Sequence, residues 1–261
     1  EREIKMSRLI DLTKPIISED IREHELLQIK IKHKAHRESE GELNFVGLPK
    51  AYYPEGFVGW ANDEIEKLGV HSVTHIDAPW HYGEMTDGKK AMTIDEIPLE
   101  WCYGDGVVID MTHKKDGEVI SKQDVKEELE KIGVQLSKGM IVLIHTGRDK
   151  IMYTKEYLFR GTGVSREATE WLIDQGIKVM GIDQWGWDLP LPQQAAEAKA
   201  GKTPNPFWEA HRVGCKKAYC HIEQIVGLDQ LPSSGFKVMA MPLPLKGCSA
   251  SPIRLVAIIE D

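Results

Sequence analysis

Two apolar runs bounded by glycine, GDGVVIDM at 104–111 and GMIVLIHTG at 139–147, most limit what this 261-residue chain can become. Short, β-branched and nearly free of charge at their centres, they suit buried strands. Between them SKQDVKEELEKIG (121–133) opens with an S-x-x-D capping pattern and stops at Gly133, as a surface helix does. SREATEWLIDQGIKVMGID (165–183) repeats the sequence logic: Ser165 as N-cap, a helix closing at Gly176, and a strand over 178–183. FKVMAMPLP and IRLVAII add strand-like segments near the end of the chain. Strands alternating with capped helices predict an α/β fold with one central sheet system, without fixing its topology.

The length suits a single domain over 1–261. Within it, the charge run KIKHKAHRESEGE (30–42) and the aromatic GLPKAYYPEGFVGW (47–60) predict an N-terminal arm around 20–60. The arm's Tyr, Phe and Trp residues have three readings: core, pocket wall or subunit interface. A formal net charge of -8 argues against nucleic acid or an anionic membrane surface and leaves a small-molecule substrate as the expected partner. No apolar stretch reaches the length of a membrane span, and the charged start lacks a secretory pattern, so a cytoplasmic location is expected. Met6 offers a natural start. The four cysteines, Cys102, Cys215, Cys220 and Cys248, form no C-x-x-C pair and read as small buried residues in a reducing compartment.

HSVTHIDAPWH (71–81) concentrates histidines and an aspartate before and after a proline. A helix would carry Asp77 away from the face shared by His71 and His75, and Pro79 favours an extended Ala78. On an extended segment His71, His75 and Asp77, separated by even numbers, project to one side, and the β-branched Val70, Thr74 and Ile76 suit a strand. Two imidazoles and a carboxylate suit zinc, manganese or iron and leave positions open for water and substrate. A polar strand end is the plain alternative.

The stretch resembles the H-x-G-T-H-x-D-x-P-x-H signature of the cyclase family, which includes bacterial kynurenine formamidases and isatin hydrolases; Val73 stands at the signature's glycine. The resemblance extends to RLIDLTKPI, VLIHTG, LPLKGCSASPIRLVAII and EAHRVGCKKAYCHIEQIVGLDQLP. It implies metal ligation by His71, His75 and Asp77, completed by His211 and Glu223, with His81 as catalytic proton carrier. It also implies a single-domain swivelling β/β/α architecture, a divalent metal (Zn or Mn, one or two per subunit) and a homodimer or homotetramer. It gives His221 no role, although His221 shares strand parity with Glu223.

The implied activity is hydrolysis of a C–N bond in an isatin-like cyclic amide or an aryl formamide. The chain's length in 20–60 and its different sequence around GIDQWGWDLPLPQQ favour the isatin hydrolase side over a kynurenine formamidase of tryptophan catabolism. A non-catalytic metal or small-ligand binding protein of the same fold is the reading that Val73 motivates, and a lyase or cyclase without water attack is a third. Trp80, Trp185 and Trp187, with Asp183 and Asp188, are candidates for the substrate pocket; for the two later tryptophans core filling is the equal alternative.

Overall fold

In the computed structural model, which describes residues 7–260, the glycine-bounded runs lie side by side as parallel strands. Among the described residues the main sheet has nine strands: β1 (Ser7–Asp11), β2 (His75–Asp77), β3 (Tyr103–Asp110), β4 (Ile141–His145), β5 (Val179–Ile182), β6 (Cys220–Glu223), β7 (Phe236–Met239), β8 (Ala250–Pro252) and β9 (Val256–Glu260). Their order is β1-β9-β7-β3-β4-β5-β6-β2-β8. The four central strands β3 to β6 are parallel, and every other pairing is antiparallel.

Alternation along the central strands divides two cores. Val107, Ile109, Val142, Ile144, Met180 and Ile182 face the helices α2 (Lys122–Lys131) and α3 (Arg166–Asp174), which contribute Val125, Leu129, Ala168 and Leu172. Val108, Ile141, Leu143 and Val179 point the other way, onto Leu12, Ile76, Ile253 and Leu255 from the outer strands and their flanks. The sheet curls so that its inner face packs on itself, and Thr13, just beyond β1, bridges Ile225, just beyond β6. This is the α/β class expected, with helices on the outer face.

Local signals act as anticipated at α2 and α3. Ser121 accepts from the amide of Asp124 in a full capping box, and Ser165 accepts from that of Ala168. Gly133 and Gly176 take the left-handed conformation beyond the C-termini.

The arm leaves the body after the bridge between Ser18 and Ile29. It makes a two-stranded ribbon, Lys30–Lys32 with Glu64–Lys67, enclosing three 3-10 turns. Tyr52 is 73% exposed, so the core reading fails for it, and Tyr53 meets Phe57 edge-on within the arm at 5.2 Å. Met6 lies outside the described residues. Among the described residues no helix is long and apolar enough to cross a membrane.

Cys102 and Cys220 are buried, which pushes the Cys102 thiol up to about 11 and that of Cys220 well above its usual value. Thiolate is the reactive form. At pH 8 a thiol reagent is therefore expected to modify no more than the half-buried Cys215 and Cys248 in the native protein, and all four cysteines after unfolding. Reaction of four thiols in the native state would contradict this.

Candidate active site

The short strand β2 places His75 and Asp77 in the buried interior, paired on one side with β6 and on the other with β8. His71 does not extend this strand. It sits in a turn closed by the bond from the Ser72 amide to the Gly69 carbonyl, a correction to the parity argument. Its imidazole nonetheless reaches the same point, with Nδ1 2.9 Å from Asp77 Oδ1. Pro79 does not merely end the strand; it starts the one-turn helix α1 (Pro79–Tyr82), where a missing N–H costs nothing. That turn carries His81 back over the site, its Nε2 3.9 Å from Asp77 Oδ2.

The second half of the site comes from downstream. His211 lies in a 3-10 turn and Glu223 ends β6, with His211 Nε2 3.8 Å from Glu223 Oε1. His221, two residues earlier on β6, stands 2.9 Å from Asp77 Oδ2 and 3.1 Å from Glu223 Oε1. No role was expected for it. The i, i+2 relation to Glu223 was the available signal, and the register of β6 against β2 turns that relation into convergence. The turn holding His211 approaches α1 closely: a Cβ on Gly214 would lie 2.0 Å from the Tyr82 ring, so only glycine fits there.

Two imidazoles have their tautomers set by fixed partners. His75 Nδ1 lies 2.7 Å from the Val73 carbonyl, which can only accept, so Nδ1 carries the proton. His211 Nδ1 meets Asp188, whose carboxylate also accepts from the Ala210 and His211 amides. Such outer-shell partners orient a metal-binding imidazole and raise its basicity. In its neutral form the His75 ring aims the Nε2 lone pair at Asp77 Oδ1, 3.2 Å away, and at Glu223 Oε2, 3.7 Å away. A lone pair facing two carboxylates is repulsive unless a proton or a cation lies between them.

His75 Nε2, His221 Nε2, both Asp77 oxygens and Glu223 Oε1 are buried and lack hydrogen-bond geometry to any partner. Among the described residues, groups able to hold a cation fall into two sets, Asp77–His211–His221–Glu223 and His71–Asp77–His81, in each of which the donor atoms lie within 4.8 Å of one another; His75 is in neither. Asp77 belongs to both. The residues therefore fit a divalent metal in number, type and convergence.

Electrostatics agree with that fit. Burial would raise the Asp77 carboxyl, but the surrounding imidazoles of His81, His75 and His71 hold it well below the usual carboxylate range. Burial pulls the His221 imidazole down, yet Asp77 and Glu223 overcome it and lift His221 to about 9. The two carboxylates thus demand positive charge, from imidazole protons or from a cation in their place. His81 differs: burial, opposed by Asp77 but helped by His71 and His211, brings it down to about 4.

A cavity of about 120 Å³ opens onto His71, His81, His211 and Glu223 and is walled by Trp185 and Trp208. Trp208 stacks on His211 with centroids 4.6 Å apart and planes 10° from parallel. It has a left-handed φ of 53°, and its amide donates to Gln194 Oε1. Sequence reasoning missed Trp208. Trp187 is core instead: fully buried, it donates from Nε1 to Thr169 Oγ1. Trp80 is not a cavity residue either; it lies half-buried under the Lys90 ammonium. Asp188 reaches the cavity, whereas Asp183 is buried beneath the amides of Thr146 and Gly147. Val73 is buried outside the cavity lining.

Fold and donor set together define an α/β protein with a carboxylate–imidazole centre beneath an aromatic-walled cavity. A family model described as "Putative cyclase" matches residues 10–189, and the chain belongs to this cyclase family. Isatin hydrolase of Roseibium aggregatum is 26% identical over 201 residues, covering 74% of this chain and 73% of that protein. Kynurenine formamidase of Geobacillus thermodenitrificans is 28% identical over 189 residues, covering 72% and 75%. Cyclase-like protein 2 of Arabidopsis thaliana is 25% identical over 205 residues, which span 76% of this chain and only 65% of the plant protein's length. A solved isatin hydrolase, bound to the product analogue thioisatinate, superposes with a TM-score of 0.73 over 98% of this chain and 93% of its own, at 21% identity. At that identity the superposition speaks for the fold.

Proposed function

We propose that this chain is a metal-dependent amidohydrolase that cleaves the C–N bond of an isatin-like cyclic amide or an aryl formamide. The observation that carries the proposal is the set of orphaned buried donor atoms on His75, Asp77, His221 and Glu223, converging beside an aromatic-walled cavity. His71, Asp77, His211 and Glu223, and His75 through its orphaned Nε2, are assigned as ligands for one or two ions of zinc or manganese, with His221 added to them. A bound divalent ion supplies Lewis acidity and lowers the pKa of water towards neutrality.

The chain's own residues do the rest. His81, neutral at pH 7, faces the cavity and can take the proton of an attacking water and return it to the leaving nitrogen. Trp185 and Trp208 offer flat apolar faces to an aromatic ring beside the scissile bond. Asp188 holds His211 in place from behind. The relatives named kynurenine formamidase keep the aryl formamide open beside the cyclic amide. A homodimer or homotetramer is also proposed, with the exposed Phe45 and Tyr52 of the arm as surface that assembly would cover.

The test is an assay of zinc- and manganese-loaded protein on isatin and on N-formylkynurenine, before and after chelation. Turnover of at least one, abolished by chelator and restored by metal, is the expected result. Retained metal binding with no hydrolysis of any cyclic amide or aryl formamide tried would instead indicate a binding protein.

A further inference from the structure

Outside the lining of the cavity lies a buried charge pair that the hydrolytic reading does not use. Lys14 and Glu23 are 2% and 3% exposed and form an ion pair. Replacing both members of a buried pair by apolar residues is commonly neutral or stabilising, so stability alone is a poor reason for placing one here. Its connections point elsewhere. The Lys14 ammonium also donates to Gln224 Oε1 at 3.3 Å, and Gln224 Nε2 donates to the His71 carbonyl at 2.8 Å.

An amide side chain can present either end to a neighbour, and an ammonium has no acceptor. The ammonium, which only donates, and the His71 carbonyl, which only accepts, therefore agree on one orientation: the Gln224 oxygen turns to Lys14, and its NH2 is directed at the turn that carries His71. The backbone repeats the connection. The Lys14 amide donates to Thr74 Oγ1 (2.8 Å), and that hydroxyl donates to the Gln224 carbonyl (2.6 Å). Gln224 directly follows Glu223, is fully buried and has a left-handed φ of 58°. A single residue thus ties the His71 turn, the residue leading into β2 and the end of β6 together, and Lys14 holds its outer end. Glu23 lies at the root of the arm, so it joins that root to the same network.

We propose that Lys14 and Glu23 are positioning residues for the metal centre, acting through Gln224 on His71 and Glu223. This rests on the reading of those residues as metal ligands. Losing an outer-shell partner typically weakens metal binding by about 10–100-fold.

The experiment measures metal dissociation constants by chelator competition for wild type, Lys14→Met, Gln224→Gly and the double variant Lys14→Met with Glu23→Leu. Thermal midpoints of the metal-free proteins are recorded alongside. Glycine at 224 keeps the left-handed backbone while deleting both side-chain bonds. The double variant removes both charges, so neither is left buried alone. Expected is a metal dissociation constant raised about tenfold or more in every variant that folds, including a double variant whose midpoint returns near wild type. Wild-type affinity in folded Gln224→Gly and in the folded double variant would overturn the inference and leave the hydrolase reading intact. Wild-type protein that bound no metal would sink both.

Discussion

His81→Ala is expected to lower kcat by about 10²–10⁴-fold, the usual contribution of a positioned general acid–base, while metal content stays at the wild-type level. The two halves of this result separate the roles open to His81. Its Nε2 is 3.9 Å from Asp77 Oδ2, beyond hydrogen-bond reach, and its ring is packed against His71 with centroids 4.2 Å apart. Because His71, Asp77 and His81 also form a set able to hold a cation, loss of metal together with activity would make His81 a ligand and end its assignment as proton carrier.

The pH dependence follows from burial of the ring. With a folded pKa of about 4 against an ordinary 6.5, His81 stays neutral across pH 5–8, and a nearby cation would push it in the same direction. The acid limb of kcat/KM for metal-loaded protein is therefore expected well below the ordinary histidine value. Stability carries the same sign. Between 6.5 and about 4 the unfolded chain binds a proton that native His81 refuses, so this contribution is complete above 6.5 and is lost as pH falls through about 4. The alanine variant should lose stability less steeply over that window. An acid limb at 6.5 that persists in His81→Ala would place the titrating group elsewhere.

The sequence was most informative where local chemistry decides structure. Ser121 and Ser165 cap their helices because their hydroxyls satisfy amides three residues away, a relation contained in a few letters. The candidate donor cluster was legible in composition but not in how the fold assembles it. His71 reaches Asp77 from a turn rather than from a strand face, and the Gln224 amide that secures this turn is 153 residues distant in sequence. His221 became part of the site only through the pairing of β6 with β2, and register between distant strands is not written in either strand alone. The tryptophans divide for the same reason. Trp187 finds Thr169 on α3 and is core, whereas Trp208, held by Gln194 in a left-handed conformation, covers His211.

The second large effect is expected at Asp77, the only carboxylate belonging to both donor sets. Asp77→Asn keeps the shape of the side chain but removes the charge that faces His71 at 2.9 Å, His75 at 3.2 Å and His221 at 2.9 Å. Metal affinity should fall by more than the roughly 100-fold typical of an outer-shell partner, and hydrolysis should fall to background. Wild-type protein in metal at about 100 times the dissociation constant gains about 2.7 kcal/mol of stability from binding, and the variant should show almost none of that gain. Without metal the contrast moves to acid pH. Burial would raise the Asp77 carboxyl, but His81, His75 and His71 hold it well below 3.8, so its contribution is complete above 3.8 and is lost as pH falls through the lowered value. Metal-free Asp77→Asn lacks that contribution, and its melting temperature should depend less on pH in the acid range. Metal analysis and paired melting curves decide the matter: a variant that keeps a full complement of metal, or melts with the wild-type metal-induced shift, would show that the charge of Asp77 is not what holds the ion.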